Sequence, residues 1–206
     1  MTATEVLSTK DSLLRAAKTV FAAKGFDGAT VKDIAEIAGV NVSLVSYHFD
    51  GKENLFLTCV EEFAKSRLVS AEKFLKGPES LEDMRVRLTL MTEEFFDYNL
   101  REPEINEIMN RDCGVNNPLT DGIYRTVFKR VFEVITEFFR TAQEKSLLSR
   151  EVFVDDRTLL FLGGLIHVVR TETMRTKLFG ISLHDPAFRD RVVKSAVRMA
   201  MEGTSL

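Results

Sequence analysis

The stretch from Thr30 to Lys52, TVKDIAEIAGVNVSLVSYHFDGK, decides the fold. Val31, Ile34, Ala35 and Ala38 recur at helical spacing. Thr30 stands where its hydroxyl can cap free amides and Asp33 can reach back, so a short helix is predicted to start at Thr30. Gly39 follows the last alanine of this stripe, where a helix end commonly turns left-handed, a backbone that glycine adopts at little cost. Asn41 is placed to cap a second helix, in which Val42 and Val45 face inward while Ser43, Ser46, Tyr47 and His48 face elsewhere. Asp50 with Glu53 predicts another capping box and a further helix. Two short helices about a glycine turn, opening onto another, form a helix-turn-helix.

The second of these helices has the form that a reader of duplex DNA needs, because the major groove admits one helix whose exposed short side chains reach base edges. The preceding segment, KDSLLRAAKTVFAAKGFDGAT from Lys10 to Thr30, completes the pattern. Ala17, Phe21, Gly25, Phe26, Thr30-Val31, Ile34-Ala35, Ala38-Gly39-Val40, Tyr47, Phe49, Lys52-Glu53 and Leu55-Phe56 together resemble the N-terminal domain of TetR-family transcriptional regulators. The resemblance covers about the first quarter of the chain. It implies an all-helical subunit of two domains, a homodimer, and a C-terminal pocket whose small-molecule effector changes affinity for a DNA operator. The residues expected at the DNA are Thr30, Lys32, Asn41, Ser43, Ser46, Tyr47, His48 and Lys52, with Lys52 on a phosphate and Tyr47 more often on phosphate than on a base in the family. The chain departs from its relatives in several ways. No Lys or Arg lies between Gly39 and Phe49, so the commonest specific contact, a cation on guanine, is missing there. Ser46 stands where relatives commonly carry an aromatic residue, and Leu44 is larger than many counterparts. The leader MTATEVLS has no basic residue, which argues against a minor-groove arm.

At 206 residues, 45% apolar and 29% charged, the chain can bury a substantial core in one large or two small domains. A net charge of −3 is unlike that of a nucleic-acid binder, but charge averages over faces. Lys10, Arg15, Lys18, Lys24, Lys32 and Lys52 are offset by acids, many of which sit at predicted helix starts where they serve caps and the helix dipole. The longest apolar run, Leu159 to Val169, is about half of what spans a bilayer, and no export leader is recognisable, so a cytoplasmic protein without a membrane partner is expected. Cys59 and Cys113 make neither a metal-ligand spacing nor a disulfide framework and are read as reduced thiols.

Every segment beyond Asp50 reads as helix, giving an all-α chain with an N-terminal three-helix DNA-binding domain at 1–53 and a helical effector-binding and dimerisation domain at 54–206. Helices are expected from Leu55 to about Leu75, from Ser80 onward with Met84, Leu88, Met91 and Phe95 as one stripe, and from Pro103 to near Asp112. Others follow from about Leu119 to Lys145, from Asp155 to about Lys177, and from Asp185-Pro186 onward. The helix around Phe128 carries two apolar stripes and is read as buried on more than one side. That suits a central core helix. It also suits one side of a cavity, the place where the resemblance implies an effector pocket, with Phe63, Met91, Phe95, Met109, Phe128, Phe132, Phe161 and Leu165 as candidate lining.

The Asp155 helix presents Leu160, Gly163, Gly164, His167 and Thr171 on a narrow face of small and polar residues. Two mid-helix glycines cost about 1 kcal/mol each relative to alanine, which the close approach of another helix would offset. With Val192 and Met199 of the last helix, Leu160, Gly163, Gly164 and His167 form the expected dimer face, a four-helix arrangement like that of the family. No phosphate loop, paired metal ligands or nucleophile elbow is present, so no catalytic residue, metal site or cofactor is expected and the chain reads as no enzyme. The expected function is a ligand-responsive regulator, a repressor released from a pseudo-palindromic operator by a largely apolar effector. The alternative is a DNA-bound scaffold of the same fold that recruits a protein without an effector.

Overall fold

The computed structural model describes residues 8–202, and among them it contains helices and no strand. Residues 1–7, which hold most of the leader considered above, lie outside the described residues. The chain divides into two compact units, one of residues up to Ala64 with Pro103–Arg125, the other of Lys65–Glu102 with residues from Thr126 on.

In the first unit α1 runs over Thr9–Gly28, capped by Ser8, whose hydroxyl accepts from Asp11 N. Gly25 breaks its regularity at φ 76°, in the left-handed region. α2 (Val31–Ala38) has the predicted capping box, with Thr30 Oγ1 accepting from Asp33 N at 3.1 Å and Asp33 Oδ2 accepting from Thr30 N at 3.1 Å. Gly39 ends it at φ 67°. α3 (Ser43–Phe49) starts one residue later than the sequence suggests, and Asn41 Oδ1 accepts from Ser43 N at 2.9 Å. Val45 is buried, while Val42, expected inward, is 47% exposed at the N-cap position. Asp50 likewise differs from expectation. It takes a left-handed conformation as the C-cap of α3, and α4 (Lys52–Phe74) begins after Gly51. α6 (Pro103–Asp112) packs against α1, burying Ile105 and Ile108, so the line drawn from the sequence at 53/54 separates two elements that share this unit. Phe21, Phe26 and Phe56 pack together, with Phe21 and Phe56 edge to face at 5.1 Å.

The second unit holds the later half of α4, then α5 (Leu81–Arg101), α8 (Lys129–Glu144), α9 (Val154–Arg170), α10 (Glu172–Phe179) and α11 (Pro186–Met201). Its core gathers Met84, Leu88, Met91, Phe95, Ile135, Phe139, Phe161, Leu165, Val193 and Val197 into one cluster. Two expected helices are interrupted. The helix expected from Leu119 contains a short α7 (Asp121–Ile123) and a π turn at Tyr124–Phe128 before α8. The helix expected to reach Lys177 ends at Arg170, and α10 follows at Glu172, whose carboxylate accepts from Arg175 within α10 and from Ser182 Oγ and Leu183 N beyond it.

Candidate nucleic-acid interface and the α9/α11 face

α3 is held from below by Val45 and Phe49, both buried, and carries Ser43, Ser46 and Tyr47 on its exposed side, with Tyr47 80% exposed. His48 is half-buried, its ring 4.9 Å from that of Tyr47. Asn41 is exposed, but its side-chain oxygen also accepts from Ser43 Oγ at 2.7 Å, which leaves the amide NH₂ as its remaining donor. Thr30 and Lys32 are exposed at the start of α2. Lys52 is placed differently from a phosphate-seeking lysine. Its ammonium donates to the carbonyl oxygens of Phe26 at 2.9 Å and Ala29 at 3.1 Å and lies 4.4 Å from the centre of the Phe26 ring. Asp33 is bridged to Lys24 at 2.9 Å, and Lys24 with Thr30 holds its carboxyl below the ordinary 3.8.

Of the residues expected around an effector, Met91, Phe95, Phe161 and Leu165 come together as members of the packed core of the second unit. Phe128 and Phe132 are half-buried, in the π turn and on α8. Phe63 and Met109 belong to the first unit. The charged residues near these positions pair among themselves. Arg67 is buried and forks onto Glu94 at 3.1 and 3.2 Å, while stacking on Tyr98 at 3.8 Å. Burial lowers the Arg67 pKa, and Glu94 opposes that shift.

The residues expected at a dimer contact share a surface. Leu160 (75% exposed), Gly163, Gly164 and His167 are exposed on α9, and Met199 (69% exposed) lies on α11 with half-buried Val192. A groove of about 470 Å³ runs between these helices, lined by Leu160, Gly164, Val192, Ala196, Met199 and Arg157 among others. A Cβ on Gly163 or Gly164 would meet nothing within 4 Å among the described residues. Arg157, which sequence reasoning missed, is 4% exposed and donates through Nη1 to the carbonyl oxygens of Ala200 at 2.6 Å and Glu202 at 2.8 Å, capping the end of α11. Its Nε and Nη2 are buried without a hydrogen-bond partner among the described residues. No local signal marks it, because its acceptors lie 43 and 45 residues away.

Cys59 is fully buried and Cys113 half-buried, and burial pushes both thiols up to about 12. Among the described residues no cluster of His, Cys, Asp and Glu could hold a metal ion. No helix among them is long and apolar enough to cross a membrane.

Residues 13–59, spanning α1 to the first turns of α4, match the family described as bacterial regulatory proteins, tetR family. The chain is 28% identical over 134 residues to a probable HTH-type transcriptional regulator, YttP, of Bacillus subtilis (strain 168), the match covering 64% of each chain. It is 33% identical over 101 residues to the HTH-type transcriptional repressor NicS of Pseudomonas putida, covering 49% of this chain and 46% of NicS. The matched stretches thus span less than two thirds of these relatives' own lengths. Among solved structures, the transcriptional regulator FadR of Bacillus subtilis, in complex with stearoyl-CoA, superposes with a TM-score of 0.75 at 15% identity, over 95% of this chain and 99% of that one. Such a likeness establishes the all-helical fold along nearly the whole chain. Residues 13–59, which carry the helix-turn-helix of α2 and α3, thus match the tetR family of bacterial regulatory proteins, and the fold along nearly the whole chain is like that of the FadR structure.

Proposed function

We propose that this protein is a homodimeric, ligand-responsive transcription regulator, a repressor that leaves a pseudo-palindromic operator when a small, largely apolar effector binds. The observation that carries the DNA-binding part is α3 itself, whose buried Val45 and Phe49 fix the helix while Ser43, Ser46 and Tyr47 project from it. Base edges are read by the short neutral groups of Ser43, Ser46 and the Asn41 amide. Phosphates are met by Lys32 and Tyr47, with Thr30 and His48 beside them. Lys52 contributes by fixing the end of α1 through its bonds to the carbonyl oxygens of Phe26 and Ala29. The dimer forms through α9 and α11, a reading supported by the exposed Leu160, Met199 and His167 and by two mid-helix glycines where a Cβ would meet nothing within 4 Å among the described residues. NicS is named a repressor, and the FadR structure holds stearoyl-CoA, a ligand with a long apolar chain. Both support the sign of regulation and the effector class.

The test is selection from a random duplex library by the full-length protein. The expected product is a twofold pseudo-palindrome with half-sites about one helical turn or slightly more apart. A single asymmetric half-site at saturating protein would contradict the reading. Ser46→Ala should relax preference at one position of each half-site, and unchanged preferences would remove Ser46 from base reading. The second reading, a DNA-bound scaffold without effector, is favoured by one observation: Met91, Phe95, Phe161 and Leu165 are packed into the core. A thermal-shift screen separates the two, since an effector raises the melting midpoint. Linkage then requires operator DNA to weaken that effector by the same factor as the effector weakens DNA.

A further inference from the structure

The start of α3 brings one apolar side chain to the surface among polar ones. Val42 takes the N-cap position with a helical backbone, φ −57° and ψ −30°, and is 47% exposed. With about 100° of turn per residue, Val42, Ser43 and Ser46 fall along one edge of the helix, and all three are exposed while Val45 and Phe49 are buried. This edge is at the N-terminal part of α3, the part of a recognition helix that meets base edges. Its polar groups discriminate poorly. Asn41 Oδ1 accepts from Ser43 N at 2.9 Å and from Ser43 Oγ at 2.7 Å, so both of its lone pairs are occupied. The two-bond pairing with adenine, which needs that oxygen to accept from the base amine, is therefore closed to Asn41. Ser43 Oγ, its hydrogen directed at Asn41, can only accept, and adenine and cytosine both offer it an amine. No Lys or Arg lies between Gly39 and Phe49 to mark guanine.

In the major groove the C5 methyl of thymine is the one apolar group that the four bases present, so an apolar side chain there marks an A·T pair and its direction. We infer, on the DNA-reading function proposed above, that Val42 is a specificity-determining residue: its isopropyl group packs on a thymine methyl next to the bases that Ser43 and Ser46 face, and each half-site carries a required thymine at that place. Valine is a poor residue for the N-cap itself, which favours a small polar side chain, and Val42 makes no capping bond; Asn41 bonds the Ser43 amide instead. Its branched side chain is stiff at χ1, so the two methyl groups are held in a fixed direction before DNA arrives. On a thymine methyl both apolar surfaces leave water. Removing one such methyl group should lower affinity about fourfold, and about fifteenfold when both half-sites of a dimer lose it.

The experiment uses the full-length protein and the duplex that it enriches from a random library. Each thymine of that duplex is replaced in turn by deoxyuridine, which removes the methyl group and keeps the hydrogen-bonding edge. Dissociation constants are then measured for wild type, Val42→Ser and Val42→Ala. Wild type should lose about fourfold at one thymine in each half-site. Val42→Ser puts a favoured capping residue at an exposed N-cap, so α3 stays folded, and it should bind the thymine and deoxyuridine duplexes equally at that position. Val42→Ala, with a single methyl group left, should lose less than wild type. A wild type indifferent to deoxyuridine at every position overturns the contact. A thymine to which both variants stay as sensitive as wild type is read by another residue, which overturns the role of Val42. A wild type that enriches no sequence sinks the DNA-reading function and this inference with it, a failure seen before any thymine is replaced and so distinct from an enriched duplex whose methyl groups do not matter.

Discussion

Replacing Gly164 by leucine should push stability and assembly in opposite directions. Within one subunit the backbone has room for a side chain, since a Cβ at this position meets nothing within 4 Å among the described residues and the residue is exposed on α9. Leucine is a far better helix former than glycine, so the isolated subunit should gain about 0.8 kcal/mol. If α9 is covered by a second copy, the same side chain is forced into a tight helix contact, where overpacking costs about 1–3 kcal/mol. A twofold axis places that cost twice in each dimer, about 2–6 kcal/mol in total, which weakens dimerisation about 30-fold to 10⁴-fold. Sedimentation velocity over a dilution series reads the dimer constant. Melting at a concentration where only monomer remains reads the subunit. The expected result is a monomer that melts no earlier than wild-type monomer and binds operator much more weakly. An undiminished dimer would refute the reasoning, place the contact elsewhere, and leave the two mid-helix glycines without a packing explanation.

Thr30→Ala removes the α2 cap and should destabilise the protein by about 0.5–2 kcal/mol in denaturant melts, with an equal loss from a variant at the exposed Thr19 counting against the capping role. Asp33 should give the acid limb of the stability curve part of its slope. Its carboxyl is depressed by Lys24 and Thr30, so its contribution is present above about 3.8 and is lost as pH falls through the lower folded value. Asp33→Asn should flatten that limb in melts taken between neutral pH and strong acid, and an unchanged slope would contradict the assignment. Arg157→Ala uncaps the end of α11 and leaves the carbonyls of Ala200 and Glu202 without their donor, a loss of about 2–3 kcal/mol that should appear as faster exchange at the end of that helix.

What could be read in advance was local chemistry. Thr30 with Asp33, Gly39 after Ala38, Ser80 with Asp83 and Pro186 behind Asp185 each specify a helix end through groups within four residues, and each behaves as its spacing implies. The face of α3 was legible except at Val42, which stands one residue ahead of the helix and lies exposed. The misses are non-local. Nothing near Thr171 announces that Glu172 will be drawn to Ser182 and Leu183, ten and eleven residues on, where a new helix has already replaced α9. The π turn at Tyr124–Phe128 has no turn residue to mark it. Lys52 looks like a free cation until Phe26 and Ala29 are folded beneath it, and Arg111 has no apparent partner until α6 lies on α1.

The state of the two native thiols makes this protein convenient to label. The thiolate is the form that alkylating reagents attack, and with values near 12 both Cys59 and Cys113 stay protonated at neutral pH, the first fully buried as well. A cysteine introduced on an exposed position of α4, such as Glu53→Cys, would then carry a maleimide spin label or fluorophore nearly alone, without stripping the native residues first. In the proposed dimer each such label appears twice, so a single substitution reports the distance between the two DNA-binding heads in free, operator-bound and effector-bound protein.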